Sequence, residues 1–149
     1  MSEEVTKSFE VRWDDLDLNG HLRNTRYLEY ASTARLAFLV ASGWTPRDLM
    51  KAGIGAVALG EEVRYLREVR PLEVVTVVSR VVGLSADGAR WRFEHTFVRG
   101  NGEEAAVVRT LGTWIDLATR RMTAPPPGLR DALAGAGAED CERLEPARA

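Results

Sequence analysis

The stretch Val11-Arg-Trp-Asp-Asp-Leu-Asp-Leu-Asn-Gly-His-Leu-Arg-Asn-Thr-Arg-Tyr-Leu-Glu-Tyr30 decides how this chain reads. It begins inside residues 8–13, where Phe9, Val11 and Trp13 alternate with Glu10 and Arg12, the period-two signature of a half-buried strand. The Asp-Asp-Leu-Asp-Leu-Asn-Gly run then breaks the strand, and Gly20 allows a sharp turn without a Cβ penalty. Asn24 is a favoured helix N-cap. Across residues 25–42 the period becomes helical: Tyr27, Tyr30, Ala31, Ala34, Phe38 and Ala41 share a face, and Gly43 marks the stop. Leu28, Leu36, Leu39 and Val40 widen that stripe, which predicts a long helix buried on several sides.

Downstream, residues 45–50 allow one short helical turn, and strands then take over at 54–65, 74–82, 89–98 and 105–117. In the third of these, Trp91, Phe93, His95 and Phe97 face one way and Arg90, Arg92, Glu94 and Thr96 the other. Asp87-Gly88 and Gly100-Asn101-Gly102 mark hairpin turns on either side. Strands joined by hairpins make an antiparallel sheet, and the one apolar helix must pack across it, an α+β arrangement. Residues 1–124 read as the domain. Residues 125–149 read as a Pro-rich turn, a short helix near 128–133 and a flexible Ala/Gly/Glu-rich tail. A curved sheet does not cover every side of such a helix, and open sheet edges invite pairing, so a two-fold oligomer is expected.

The bulk numbers exclude several partners. A chain of 149 residues is one domain by length. Its 20 basic and 22 acidic residues interleave to a net charge of −2, which gives no electrostatic case for nucleic acid or an anionic membrane. The first residues carry no apolar h-region, no run of 18 apolar residues occurs, and the single cysteine, Cys141, has no internal partner, so a cytoplasmic location is expected. His21 and His95 are the only histidines, no zinc-type spacing is present, and no metal or cofactor is expected. The Gly-x-Ser-x-Gly elbow of a serine hydrolase is absent.

Three readings compete for the residues between strand and helix. A turn followed by a cap accounts for each Asp, Asn and Gly singly. A calcium loop fits Asp15-x-Asp17-x-Asn19-Gly20, but the closing position, where a bidentate Glu is required, is Arg26, and a strand rather than a helix precedes it. The calcium reading is excluded. The third reading is catalytic: a carboxylate just before a helix start acts as base or nucleophile, while free N–H groups and the helix dipole hold a negative oxygen.

The order Trp13-x-Asp15-x-Asp17-x-x-Gly20-His21-x-x-Asn24-x-x-Tyr27-Leu28 resembles the signature of the hot-dog-fold acyl-CoA thioesterases, in the 4-hydroxybenzoyl-CoA thioesterase / YbgC-like branch. The likeness extends by strand pattern over residues 8 to about 122. It implies a long central helix wrapped by a curved antiparallel sheet of five to six strands. It further implies homodimers or homotetramers with sites at subunit interfaces, and an acyl-CoA or acyl-carrier-protein thioester as substrate. It carries the catalytic carboxylate, as nucleophile or general base, onto Asp17, and the oxyanion-binding backbone N–H onto Asn24. Asn24 stands where those branches carry His or Tyr, which keeps the backbone donor but leaves the acyl group open.

His21 either supports Asp17 or only bonds within the turn. Gly20 and Tyr27 are candidate substrate contacts, Tyr27 on a helix face that lines an acyl tunnel or is plain core. Glu62, beside Glu61, is a candidate for an interface site or a surface acid. Arg90, with Arg92 and Arg99, points to coenzyme A phosphates or to solvent. His95 reads as a core histidine against a catalytic one. The alternative to an enzyme is a non-catalytic hot-dog module that binds acyl-CoA or a protein partner.

Overall fold

The structure, a computed structural model, describes residues 4–146. Along the chain come β1 (Val5–Glu10), a 3-10 turn at Trp13–Asp15, α1 (Asn24–Ala41), α2 (Pro46–Lys51), β2 (Ile54–Tyr65) and β3 (Val74–Ser85). They are followed by β4 (Arg90–Val98), β5 (Glu104–Asp116), β6 (Met122–Thr123), α3 (Pro127–Gly135) and β7 (Gly137–Leu144). The sheet runs β1-β3-β4-β5-β2, with β6 against β5 and β7 against β3. All pairs are antiparallel except β3 with β7.

Strand periodicity puts one face of this sheet under α1. The register aligns Val77 with Phe97 and Ala106, Ser79 with His95 and Val108, and Val81 with Phe93 and Thr110. Onto these rows α1 lays Tyr27, Ala31, Ala34 and Phe38, each at most 3% exposed. The two alanines let the helix backbone approach closely, while Tyr27 meets Phe97 at 5.2 Å and Phe38 meets Phe93 edge-on at 5.0 Å. Burying Phe38 alone stabilises the fold by roughly 1.5–3 kcal/mol. Gly112 is required by the same packing: a Cβ there would stand 2.1 Å from the Trp91 indole, which lies across β5 at that point.

The strands match the sequence reading closely, and the departures have local causes. There are seven strands among the described residues, against the five to six expected, because β6 and β7 add to the sheet. The tail expected to be flexible instead forms β7, whose Leu144 is buried against the sheet together with Leu129 and Leu133 of α3. β1 ends at Glu10, and Trp13 sits in the 3-10 turn, 82% exposed, instead of continuing the strand face. The Asp15 carboxylate captures the Arg12 N–H at 2.9 Å, a local alternative to the sheet ladder that turns the chain away. Asn24 is the first residue of α1 rather than its cap, and Arg23 occupies the capping position with no side-chain capping bond. Leu36 and Val40 are 43% and 47% exposed, so in this chain α1 is buried along one broad face and not all round. Among the described residues no helix is long and apolar enough to cross a membrane.

His95 lies wholly inside, its Nδ1 2.8 Å from Ser79 Oγ and its ring stacked on Phe93. Burial first, then the Arg35 charge, push its pKa down to about 3, with Glu94 opposing weakly. The unfolded chain therefore binds the proton more tightly. The stability this group confers is complete above about pH 6.5 and is lost at about 1.4 kcal/mol per pH unit as pH falls toward 3. Urea unfolding should show His95 costing about 2 kcal/mol between pH 6.5 and pH 5. His95→Gln, which can still bond Ser79, should lack that slope, and identical slopes in the two proteins would refute the assignment.

Candidate active site

Three acids stand between β1 and α1, and the structure gives them different tasks. Asp15 is 7% exposed. Its Oδ2 accepts from the Arg12 amide and from the Tyr30 hydroxyl at 2.7 Å, and its Oδ1 pairs with Arg26 Nε at 3.1 Å. Burial alone would raise its pKa. The Arg12 N–H, the Tyr30 hydroxyl and the Arg26 and Arg12 charges outweigh it and hold the carboxyl below the usual aspartate range. Asp15 is thus an anchor with its oxygens occupied, and the half-buried Asp14 stands beside Arg12, Oδ1 to Nε 3.5 Å.

Asp17 is exposed and sits in a tight loop closed by bonds between its own backbone and those of Gly20 and His21. Gly20 has φ +76°, the left-handed conformation that the turn requires and that glycine adopts freely. Oδ1 of Asp17 accepts the N–H groups of Asn19 and His21 at 2.9 and 3.2 Å. Its other oxygen makes no hydrogen bond among the described residues, so the turn fixes the carboxylate while leaving one oxygen free. Leu16 and Leu22 bridge the base of the loop, and Leu22 N–H bonds Val69 O at 2.8 Å, which ties the loop to the segment after β2.

A cleft of about 280 Å³ opens here, lined by Asp17, His21, Asn24, Tyr27, Tyr65 and Glu68, with Asn19, Leu22, Leu66 and Arg67. It brings together Asp17, His21, Asn24 and Tyr27 of the sequence-derived candidates, with Gly20 in the turn beneath. The first N–H groups of α1 lie at this end, unsatisfied within a helix and backed by its dipole. Tyr27 is packed edge-on against Tyr65, centroids 5.3 Å apart. Burial, reinforced by Tyr65, Asp17, Glu73 and Glu68, pushes its phenol up to about 12, so it remains a neutral hydroxyl at physiological pH.

His21 Nε2 lies 3.1 Å from Glu68, and among the described residues its ring makes no hydrogen bond to Asp17. Its contribution to Asp17 is a backbone N–H. Sequence reasoning did not reach Tyr65, Leu66, Arg67 or Glu68 as parts of this cleft. They come from the far end of β2 and the segment after it, and the alternation around Tyr65 was their only signal.

Glu62 and Arg90 do not line the cleft. Glu62 belongs to a larger depression of about 520 Å³ on the opposite, outward face of the sheet. There Glu94 is held by Arg80 at 2.5 Å and Arg109 at 2.8 Å, so its strongest charges satisfy one another. Arg90 begins β4 on the same outward side as Arg92 and Glu94, with its N–H on Ser85 Oγ. Among the described residues no group of three His, Cys, Asp or Glu is placed to hold a metal.

Comparison with known proteins places the chain. The profile of the Thioesterase-like superfamily matches residues 11–133. A protein of Agrobacterium fabrum named L-carnitine dehydrogenase/betainyl-CoA thioesterase is 32% identical over 118 residues. That match covers 79% of this chain and 24% of the relative, so the chain spans about a quarter of that longer protein. A Staphylococcus aureus protein solved in complex with CoA superposes with a TM-score of 0.84 at 20% identity, over 99% of this chain and 91% of that one. A DHNA-CoA thioesterase from the same organism gives a TM-score of 0.82 at 21% identity, over 89% of each chain. At these identities the structures speak to the fold. The profile itself spans the loop of Asp17, all of α1 and strands β2 to β6 into α3: the chain belongs to the thioesterase-like superfamily and has its hot-dog fold.

Proposed function

We propose that this protein hydrolyses acyl-CoA thioesters, with Asp17 as the catalytic carboxylate and the backbone N–H of Asn24 as the oxyanion donor. The observation that carries the reading is the state of Asp17: one oxygen fixed by the turn, the other unpartnered, beside the start of a long helix. The family supports a thioester substrate. The relative named for betainyl-CoA and the fold neighbour solved with CoA support coenzyme A as the carrier.

The free oxygen of Asp17 attacks the thioester carbonyl carbon, or removes a proton from a water that does so. In either route the carbonyl oxygen gains negative charge and the Asn24 N–H stabilises it; loss of such a donor typically costs roughly 10²–10³ in rate. The C–S bond then breaks and the thiolate leaves, taking a proton from solvent. In the nucleophilic route water next opens the Asp17 anhydride and restores the carboxylate. The His21 backbone and Gly20 hold Asp17 in place, and Tyr27 offers a neutral hydroxyl beside the reacting carbonyl. The side chain of Asn24 has no part in this scheme, which agrees with a position where relatives differ.

The active unit is a homo-oligomer built on β2. β2 is an edge strand, and Leu59, Tyr65 and Leu66 along and after it are 50%, 54% and 45% exposed. Leu36 and Val40 of α1 are exposed as well. Two copies pairing β2 edge to edge would satisfy the open ladder and cover these side chains under a two-fold axis.

Thiol release measured over short, long, aromatic and betainyl acyl-CoAs tests the reading. Asp17→Asn should reduce kcat/KM by about 10³-fold or more while shifting folding stability by no more than about 0.5 kcal/mol. Asp15→Ala, two residues away, should do the reverse in stability, costing about 2–3 kcal/mol through loss of charged hydrogen bonds to Arg12 and Tyr30. Turnover that survives Asp17→Asn would sink the catalytic assignment. Saturable binding of an acyl-CoA without turnover by the wild type would mark a binding module instead.

A further inference from the structure

The walls of the Asp17 cleft hold more than hydrolysis of a thioester calls for. Two tyrosines from different elements, Tyr27 of α1 and Tyr65 at the end of β2, stand at 78° to one another with ring centroids 5.3 Å apart. Both line the cleft, and so do two carboxylates, Asp17 and Glu68. Tyr65 is 54% exposed, and its hydroxyl makes one long contact, 3.4 Å to the carbonyl oxygen of Asn24, which places it beside the start of α1. Tyr27 is 3% exposed, yet its hydroxyl makes no hydrogen bond among the described residues and the cleft is where it meets open space.

The charge left uncompensated in this cleft is negative. Arg67, whose guanidinium belongs to the wall, is drawn to Glu103, Nε to Oε2 2.9 Å, and donates to Glu104 O at 2.8 Å. His21 offers its Nε2 to Glu68 Oε2 at 3.1 Å. The other Glu68 oxygen, like the free oxygen of Asp17, has no hydrogen bond among the described residues. The Tyr27 phenol registers the same field: burial first, then Tyr65, Asp17, Glu73 and Glu68, hold its proton more tightly.

Aromatic rings beside carboxylates make a poor seat for a fatty chain and a good one for a cation. The π-face of a ring is electronegative and attracts a positive nitrogen within ~6 Å of its centroid. A carboxylate with a free oxygen adds Coulomb attraction at close range. A long hydrocarbon would instead press against both carboxylates and strip their water without offering anything in return. The cleft volume of about 280 Å³ also lies at the small end of ligand sites, roughly 300–1,000 Å³, and suits a compact group.

The rings and the second carboxylate lie in the same cleft as the reacting groups, so no tunnel is required to reach them. With the thioester carbon at Asp17 and its oxygen at the Asn24 N–H, atoms a few bonds beyond the carbonyl fall between Tyr65, Tyr27 and Glu68. A positive nitrogen held there also stabilises the negative oxygen that forms in the transition state. Pairing of two copies along β2 would shield the Tyr65 side of the cleft from water, which strengthens each of these attractions.

We propose that the preferred substrates are thioesters of short acyl groups that carry a cationic nitrogen, seated against Tyr65 and Tyr27 and facing the carboxylates of Glu68 and Asp17. The proposal rests on the thioesterase reading and adds the acyl class to it.

The test compares kcat/KM for pairs of one shape and different charge: trimethylammonioacetyl- with 3,3-dimethylbutanoyl-CoA, and 4-(trimethylammonio)butanoyl- with 5,5-dimethylhexanoyl-CoA. Each rate is divided by that of the same thioester in hydroxide alone, which removes the inductive effect of the cation. Wild type should then favour the charged member of at least one pair by ~10–100-fold, the combined range of a ring contact and a nearby carboxylate. Tyr65→Leu should cut that preference by ~3–30-fold, the range of a cation–π contact. Glu68→Gln, nearly isosteric, should cut it several-fold and serves if Tyr65→Leu fails to fold. Hydrolysis that treats both members of each pair alike, or favours the neutral one, overturns the cation assignment and leaves the thioesterase reading standing. A preference that both variants retain in full also overturns it. Neither turnover nor calorimetric binding of any acyl-CoA overturns both.

Discussion

The carboxylate of Asp15 is the constraint on which the arrangement around α1 depends. It accepts from Arg12 where β1 ends, pairs with Arg26 in the first turn of α1 and accepts from Tyr30 in the second. The Tyr30 ring is stacked on Phe9 of β1 at 4.4 Å, so the same residue joins helix to strand through its face and through its hydroxyl. One ionised group, shielded from water and charge-assisted on both oxygens, therefore fixes the angle at which the chain leaves the sheet and enters the helix. With that angle set, the loop of residues 16–22 has few ways to close, and Asp17 is carried to the helix start.

Two aspartates separated by a single residue thus perform opposite work. Asp15 has every partner it needs and is invested in the fold. Asp17 is left half-satisfied at the surface, and only a group with a free oxygen can act on a ligand. Sequence spacing alone offered both acids to either task. It was the resemblance to a known signature that favoured Asp17, and the hydrogen bonds give that choice a physical basis.

Much of the fold was legible because periodicity is local. The alternation of Trp91, Phe93, His95 and Phe97 and the helical spacing from Tyr27 to Phe38 placed α1 and the inward face of β4 on the correct sides. The misses fall where distant partners decide. Gly137–Leu144 has the composition of a loose tail and becomes a strand because β3 offers it a parallel neighbour and a pocket for Leu144 beside Gly83. Trp13 reads as a strand residue until the Asp15 side chain takes the backbone group that the strand would have used. Of the site, the half contributed by Asp17, His21, Asn24 and Tyr27 is contiguous and could be read. The half contributed by Tyr65 and Glu68 arrives across the fold and could not.

The seam between α1 and strands β4 and β5 is where the structure departs most from an optimised apolar core. A helix with alanines at its closest approach and valines and phenylalanines opposite has no packing need for an arginine, a threonine hydroxyl and a histidine whose burial lowers its pKa to about 3. Burying polar groups without full hydrogen bonding costs free energy, which the bond between His95 and Ser79 offsets only in part. Beside β5, β2 is an open sheet edge, with Leu59, Tyr65 and Leu66 exposed along and just after it. Local rules broken in one place are the pattern expected where something other than packing sets the terms. The rest of the chain, with its alternating strands and satisfied outward charges, supplies the stability that lets this one seam remain imperfect.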